Sequence, residues 1–226
     1  MDKLTLIKVG GKIVEEQETL SRLLAAFAAI PGRKVLVHGG GRSATAMASR
    51  LGIESRMVGG RRITDKSMLE VVTMVYGGLV NKNIVAGLQA VGVNALGMTG
   101  ADMNILLSDK RPAGEVDYGY VGDVRHADGK ALTGLIEMGV VPVIAPLTHD
   151  GKGFMLNTNN QQLVSQRMIF GEKRLRLWPL ITMSHWSIAS RKKECCEMRR
   201  TTRVLSRKSI FLYFKNIGRK ELYRAA

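Results

Sequence analysis

Glycine clusters directly follow short apolar runs in the first 159 residues, and this arrangement constrains the fold more than any other feature. The clusters are Gly10-Gly11, Gly39-Gly40-Gly41 and Thr99-Gly100, and they follow the runs Leu4 to Val9, Lys34 to His38 and Val93 to Met98. Short runs rich in β-branched residues are typical of buried strands. Glycine after a strand lets the backbone approach a ligand closely. The pattern therefore predicts strands that end at binding loops.

Helical periodicity between the runs predicts that helices separate the strands. Apolar residues recur at helical spacing from Glu15 to Ile30, and Thr64 is the predicted N-cap of a long helix with Asp65 in its first turn. The remaining predicted elements are helices over Ser43 to Leu51 and Leu132 to Met138, a hairpin within Tyr118 to Val124 and a strand over Val141 to Ala145. Alternating strands and helices predict an α/β domain with a largely parallel sheet.

The first glycine cluster is a candidate phosphate-binding loop, because ligands collect at the carboxyl ends of strands in such sheets. Lys8 lies just before Gly10 and Gly11. Backbone N–H groups in such a turn attract phosphate, and a lysine can neutralise a transferring phosphoryl group. Neither the GxxxxGK[ST] nor the GxGxxG pattern is present. The alternative is a tight turn beside a solvated lysine.

Gly39-Gly40-Gly41 and Arg62 are further candidate ligand-binding residues. Each glycine destabilises regular structure by about 0.5–1 kcal/mol relative to alanine, so three of them between a strand and a helix favour a binding loop over a linker. The planar guanidinium of Arg62 can hold a carboxylate, although a surface arginine is the alternative. The histidines at positions 38, 126 and 149 lack the spacing of a metal site. We interpret them as structural and expect no metal ligands.

Charge is divided unevenly along the chain. The net charge of +15 alone would favour a nucleic-acid or anionic membrane partner. Residues 1–159, however, hold 18 Lys and Arg against 15 Asp and Glu, whereas residues 160–226 hold 16 against 4. No uninterrupted run of 18 apolar residues and no secretory signal pattern is visible, so we expect a cytoplasmic protein with no membrane partner. The adjacent Cys195 and Cys196 form no disulfide framework.

The motifs of residues 1–159 together resemble the N-acetylglutamate kinases of the amino-acid kinase superfamily. Seven pieces carry this resemblance and occur in the family's order with similar spacing. They are Ile7 to Gly11, Val37 to Gly41, Gly60 to Thr64, Asn81-Lys82, Gly119 to Asp123, Val141 to Ile144 and Leu156 to Asn159. The resemblance covers about the first 70% of the chain and stops near Asn160.

The resemblance implies an amino-acid-kinase-like α/β sandwich around a mostly parallel sheet. It also implies ATP-dependent phosphorylation of the side-chain carboxylate of an N-acyl-L-glutamate, a step of arginine biosynthesis, with Mg²⁺ accompanying ATP. Lys8 resembles the lysine that neutralises the phosphoryl group in the transition state, and Gly10 and Gly11 would meet the phosphates. The acyl-glutamate would be held by Gly40, Gly41, Arg62 and Asn157, with Arg62 on the α-carboxylate. A homodimer through the N-terminal lobe is also implied.

Residues 160–226 depart from the family pattern. The aspartate expected after Asn159 is replaced by Asn160-Gln161, the second catalytic lysine segment is not recognisable, and the segment holds no Asp and only two Gly. We expect 1–159 to be the acyl-glutamate-binding lobe and 160–226 to be a poorly ordered basic tail in place of the nucleotide lobe. Codons for Met183 to Glu194 can encode a family-like strand in a shifted frame, so we favour a frameshift and a weakly active or inactive chain. The alternative is a nucleic-acid-binding tail.

Overall fold

The computed structural model describes residues 4–159 and 162–163. Within this part of the chain, helices separate the strands of the parallel sheet, as predicted. In chain order the elements are β1 (Thr5–Val9), α1 (Gly11–Glu15), α2 (Gln17–Ala28), β2 (Lys34–His38), α3 (Gly41–Arg50), β3 (Met57–Val58), β4 (Arg61–Arg62), α4 (Lys66–Val72), α5 (Asn81–Ala90), β5 (Ala95–Met98), β6 (Leu106–Lys110), β7 (Val121–Ala127), α6 (Gly129–Glu137), β8 (Val141–Ile144), β9 (Leu147–His149) and β10 (Met155–Thr158). The π-helical segment Thr73–Val80 joins α4 to α5.

A four-stranded parallel sheet forms the centre of the fold, with strand order β1-β2-β8-β5. The register of its first pair places Lys8 opposite Val37 and Val9 opposite His38. All five residues of β2 are buried, because a strand in the middle of such a sheet is covered on both faces. The two glycine clusters therefore leave adjacent strands at the same edge of the sheet.

Two apolar cores cover the two faces of the parallel sheet. The first lies between the sheet and helices α2, α3 and the continuous helix Lys66–Ala90. The second lies on the opposite face, where α6 and the start of β6 meet the sheet. Lys66–Ala90 is long and apolar enough to pass a test for a membrane span. Its buried apolar residues, however, all pack in the first core, which is typical of a core helix of a folded domain.

A second group of strands was missed by the sequence analysis. Strands β6, β7, β9 and β10 close into a small barrel in the order β10-β7-β6-β9. The hairpin predicted within Tyr118 to Val124 is wrong, because Val121–Ala127 is one strand and its antiparallel partner is β6. The backbone before β7 does not fold back on β7 but forms a hydrogen bond with Thr64. The Tyr120 N–H donates to the Thr64 carbonyl at 2.7 Å.

The predicted cap of the long helix is displaced by one residue. Asp65, rather than Thr64, is the N-cap, and its carboxylate accepts from the Met68 N–H at 2.8 Å. Thr64 is fully buried and serves a different contact, described below. A carboxylate satisfies a free helix N–H and also favours the positive end of the helix dipole.

Candidate functional site

The two glycine loops contact each other at the carboxyl ends of β1 and β2. The Gly39 N–H donates to the Val9 carbonyl at 2.8 Å, which ties the second loop to the end of the first strand. A Cβ atom on Gly11 would lie 3.4 Å from the Gly41 nitrogen. Gly10 is the N-cap of α1, and Gly40 is the N-cap of α3. The structure therefore brings Gly11, which directly follows Gly10, next to Gly40 and Gly41, as the position of the strands predicts.

Gly40 packs against the ring of Tyr76, a residue that the sequence analysis did not select. A Cβ atom on Gly40 would lie 2.9 Å from Cδ1 of Tyr76. The ring is buried, and burial raises the pKa of the Tyr76 hydroxyl, while the nearby Arg62 guanidinium partly opposes this rise. No local signal marks Tyr76, because it lies inside the long helix among other core residues.

Arg62 is buried and forms hydrogen bonds with polar groups around the second glycine loop. Its side chain donates to the Gly41 carbonyl and to Thr45 Oγ1, both at 2.8 Å, and to Ser55 Oγ. It is only 8% exposed. Within residues 4–159 and 162–163 it forms no ion pair with a carboxylate. The alternative of a surface arginine is therefore wrong, because Arg62 is buried. A buried cation needs polar or charged partners to compensate for the loss of water.

Asn157 is connected to the backbone of Arg62 by the buried Thr64. The Asn157 amide donates to Thr64 Oγ1 at 3.0 Å, and Thr64 Oγ1 donates to the Arg62 carbonyl at 3.4 Å. The backbone N–H of Asn157 donates to the Tyr120 carbonyl at 2.9 Å. Contacts between neighbours thus connect the selected residues Gly11, Gly41, Arg62 and Asn157, although they come from distant parts of the sequence.

Lys8 lies on β1, two residues before the first glycine loop. It is half-buried, and burial lowers the pKa of its ammonium group from the ordinary value. Among the described residues it has no hydrogen-bond or ion-pair partner. A partly desolvated cation without an internal partner interacts strongly with an anion that enters the same low-dielectric region.

Metal ligands are not grouped in the part of the chain that the structure describes. No three His, Cys, Asp or Glu side chains lie close enough together there to hold a metal ion. His38 is instead fully buried beneath the second glycine loop, and its contacts are with protein groups.

Comparison with known families identifies the family of this chain. The sequence pattern described as "Amino acid kinase family" matches residues 3–167 of this chain. This chain belongs to the amino acid kinase family. The matched range contains both glycine loops, Arg62 and Asn157, and it continues past residue 159.

Relatives within the amino acid kinase family share high sequence identity with this chain. The acetylglutamate kinase of Parabacteroides distasonis is 70% identical over 166 residues, which are 74% of this chain and 65% of the relative. The acetylglutamate kinase of Bacteroides fragilis is also 70% identical, over 73% of this chain and 63% of the relative. That of Methanopyrus kandleri is 42% identical over 160 residues. The chain thus spans about 65% of the length of the curated relatives it matches.

Solved structures share the same fold. The Streptococcus mutans protein smu.665 superposes with a TM-score of 0.61 and 26% identity, over 71% of this chain and 65% of that chain. The N-acetylglutamate synthase of Neisseria gonorrhoeae, complexed with coenzyme A and N-acetyl-glutamate, gives a TM-score of 0.61 at 24% identity, over 71% of this chain and 37% of that chain. The second likeness supports the α/β fold alone.

Proposed function

We propose that this chain is an acetylglutamate-kinase-type protein whose described residues bind N-acyl-L-glutamate. The observation that carries the proposal is the buried Arg62, which has no carboxylate partner within residues 4–159 and 162–163. Relatives that are 70% identical to this chain are named acetylglutamate kinases. A dicarboxylate with an acylated amino group matches the charge and the hydrogen-bonding groups beside Arg62.

Arg62 would hold the α-carboxylate of the substrate with its positive charge and with the N–H groups that its internal hydrogen bonds leave unused. The bonds to the Gly41 carbonyl and Thr45 fix the guanidinium before the substrate arrives. Gly40 and Gly41 would let the acyl-glutamate lie directly against the backbone. The Asn157 amide, held by Thr64, would also contact the substrate.

Lys8 would neutralise the charge that spreads over the phosphoryl group during transfer from ATP, with Gly10 and Gly11 donating backbone N–H groups to the phosphates. Positioning and neutralisation supply most of the catalysis in such reactions. The described residues offer no set of ligands for Mg²⁺, so we assign it no residue and no step here.

We further propose that residues 1–159 form the acyl-glutamate lobe, that two copies associate through it, and that the chain acts in the cytoplasm. The remaining predictions concern residues 160–226, most of which lie outside the described residues. They are the replaced nucleotide lobe, the basic tail, the frameshift and the nucleic-acid alternative. We expect weak or no turnover from this chain, because the expected aspartate after Asn159 is absent. Sequencing the gene across the Asn160 codon tests the frameshift.

Isothermal titration calorimetry of the chain with N-acetyl-L-glutamate tests the proposed function. We expect binding that weakens about 10- to 100-fold in Arg62→Ala, since a hydrogen bond to a charged group contributes roughly 1.5–3 kcal/mol. Arg61→Ala is the matched control, because Arg61 is the neighbouring residue of β4 and is exposed. Equal affinities of the two variants, or no binding by the parent chain, would contradict the proposal. An ATP turnover assay in parallel measures the activity of this chain.

A further inference from the structure

His38 connects the second glycine loop to the interior of the fold. The side chain is fully buried. Its Nδ1 lies 2.8 Å from the Gly39 carbonyl, which can only accept a hydrogen bond. Nδ1 must therefore carry the proton and donate, which leaves Nε2 as an acceptor. Burial lowers the pKa of His38 to about 4, so the imidazole is neutral at physiological pH.

Asn81 is the residue that the Nε2 atom of His38 faces. The Asn81 Nδ2 atom lies 3.0 Å from Nε2 of His38 and 2.9 Å from the Val143 carbonyl. Both neighbours are acceptors, so both N–H bonds of the amide are used and its orientation is determined. Among the described residues, Asn81 Oδ1 is buried without a hydrogen-bond partner, and an unpaired buried carbonyl oxygen costs free energy.

The Gly39 peptide is therefore held on both sides. Its N–H donates to the Val9 carbonyl at the end of β1, and its carbonyl accepts from His38. Gly40 and Gly41 follow directly, and the Gly41 carbonyl accepts from Arg62. Three elements thus meet beneath the loop: β1 through Val9, β8 through Val143 and the long helix through Asn81.

We infer that Asn81 and His38 are positioning residues for the second glycine loop. Asn81 fixes the tautomer and orientation of the imidazole, and His38 fixes the Gly39 carbonyl. The backbone of Gly40 and Gly41 is thereby held at the position in which a ligand can contact it and Arg62 together. The identity of that ligand rests on the proposed function. The positioning itself does not, because it concerns contacts within the chain.

Two substitutions of His38 separate its two contacts. His38→Asn places an amide nitrogen where the imidazole has Nδ1, so the donor to Gly39 is kept and the acceptor for Asn81 is lost. His38→Gln extends to the place of Nε2, so the contact with Asn81 is kept and the donor to Gly39 is lost. Asn81→Ala removes the support of the imidazole, and Asn83→Ala is its matched control on the exposed side of the same helix.

Amide hydrogen exchange at Gly39 measures the position of the loop without any ligand. We expect exchange to accelerate about tenfold in His38→Gln and Asn81→Ala, and to stay near the parent rate in His38→Asn and Asn83→Ala. Nitrogen NMR of the imidazole in the parent chain is expected to show the Nδ1–H tautomer, and Asn81→Ala is expected to lose this preference. Equal exchange in His38→Gln and His38→Asn, or the Nε2–H tautomer in the parent chain, would overturn the inference.

Calorimetry with N-acetyl-L-glutamate then connects the loop to binding. We expect the Kd to rise about three- to tenfold in His38→Gln and Asn81→Ala, which is the effect of one neutral hydrogen bond, and less than twofold in His38→Asn. Unchanged Kd values in the first two variants would refute a role in binding. Failure of the parent chain to bind would refute the proposed function instead, and hydrogen exchange would still decide whether the pair positions the loop. Should His38→Gln not fold, Asn81→Ala against Asn83→Ala carries the test.

Discussion

The chain is expected to lose stability between pH 8 and pH 5 more steeply than a His38→Asn variant. Burial lowers the pKa of His38 from 6.5 to about 4. Between these two values the unfolded chain binds a proton that the folded chain does not, so the free energy of unfolding falls as the pH falls. The contribution of His38 is fully present above the unfolded pKa and is lost as the pH falls towards the folded value.

The magnitude follows from the two pKa values. The full difference corresponds to about 3 kcal/mol, and about 2 kcal/mol of this is already lost at pH 5. This amount is a large part of the stability of an ordinary domain, which is roughly 5–15 kcal/mol. The physical reason is that a protonated imidazole in this site loses its acceptor for the Asn81 amide and is charged in a desolvated place.

Urea denaturation followed by circular dichroism at pH 8 and pH 5 measures the effect in the parent chain and in His38→Asn. Asn does not titrate, and the carboxylates titrate in both chains, including Asp123, whose pKa Arg111 lowers. The difference between the two pH slopes therefore isolates His38. We expect the parent chain to lose about 2 kcal/mol more than the variant. If the two chains lose the same unfolding free energy between pH 8 and pH 5 to within about 0.5 kcal/mol, the assignment of a buried, neutral imidazole is refuted.

Two further predictions concern stability alone. Asp65→Ala removes the bond to the Met68 N–H and is expected to cost about 1 kcal/mol in urea denaturation; no loss would show that Asp65 does not cap the helix. Gly119 has φ of +70°, and a Cβ there would lie 2.2 Å from the Thr64 carbonyl, whereas Gly134 in α6 has open space. Gly119→Ala is therefore expected to destabilise the fold and Gly134→Ala to stabilise it by about 0.5–1 kcal/mol, and the same sign for both would contradict this geometry.

The parallel sheet and the meeting of its glycine loops could be predicted from the sequence. Apolar runs such as Lys34 to His38 are buried on both faces, which gives an uninterrupted signal, and strands of one direction must end at one edge. The barrel was missed because its strands mix polar and apolar residues, as in β6 and β7, and so lack the uninterrupted apolar signal of the parallel sheet. Strand β9, for example, is only Leu147–His149, and one of its two partners is the distant strand β6.

The contacts around the site could be predicted only in part. Arg62 was selected for its chemistry, but its burial depends on Ser55, Thr45 and the glycine loop, which tertiary structure brings together. The pairing of His38 with Asn81 joins residues separated by 43 positions and leaves no local pattern. Residue types therefore allowed Arg62 to be selected as a candidate binding residue, whereas the support of each side chain became visible only in three dimensions.

The strand order of the parallel sheet also determines when it can close during protein synthesis. Strand β8 lies between β2 and β5, yet it is the last of the four to leave the ribosome. Until then both neighbours present unpaired backbone groups and apolar side chains, which invite association with other chains. A nascent chain that stops before Val141 cannot form this sheet. Strands β1, β2 and β5 must therefore stay protected from aggregation until β8 is made and pairs between β2 and β5.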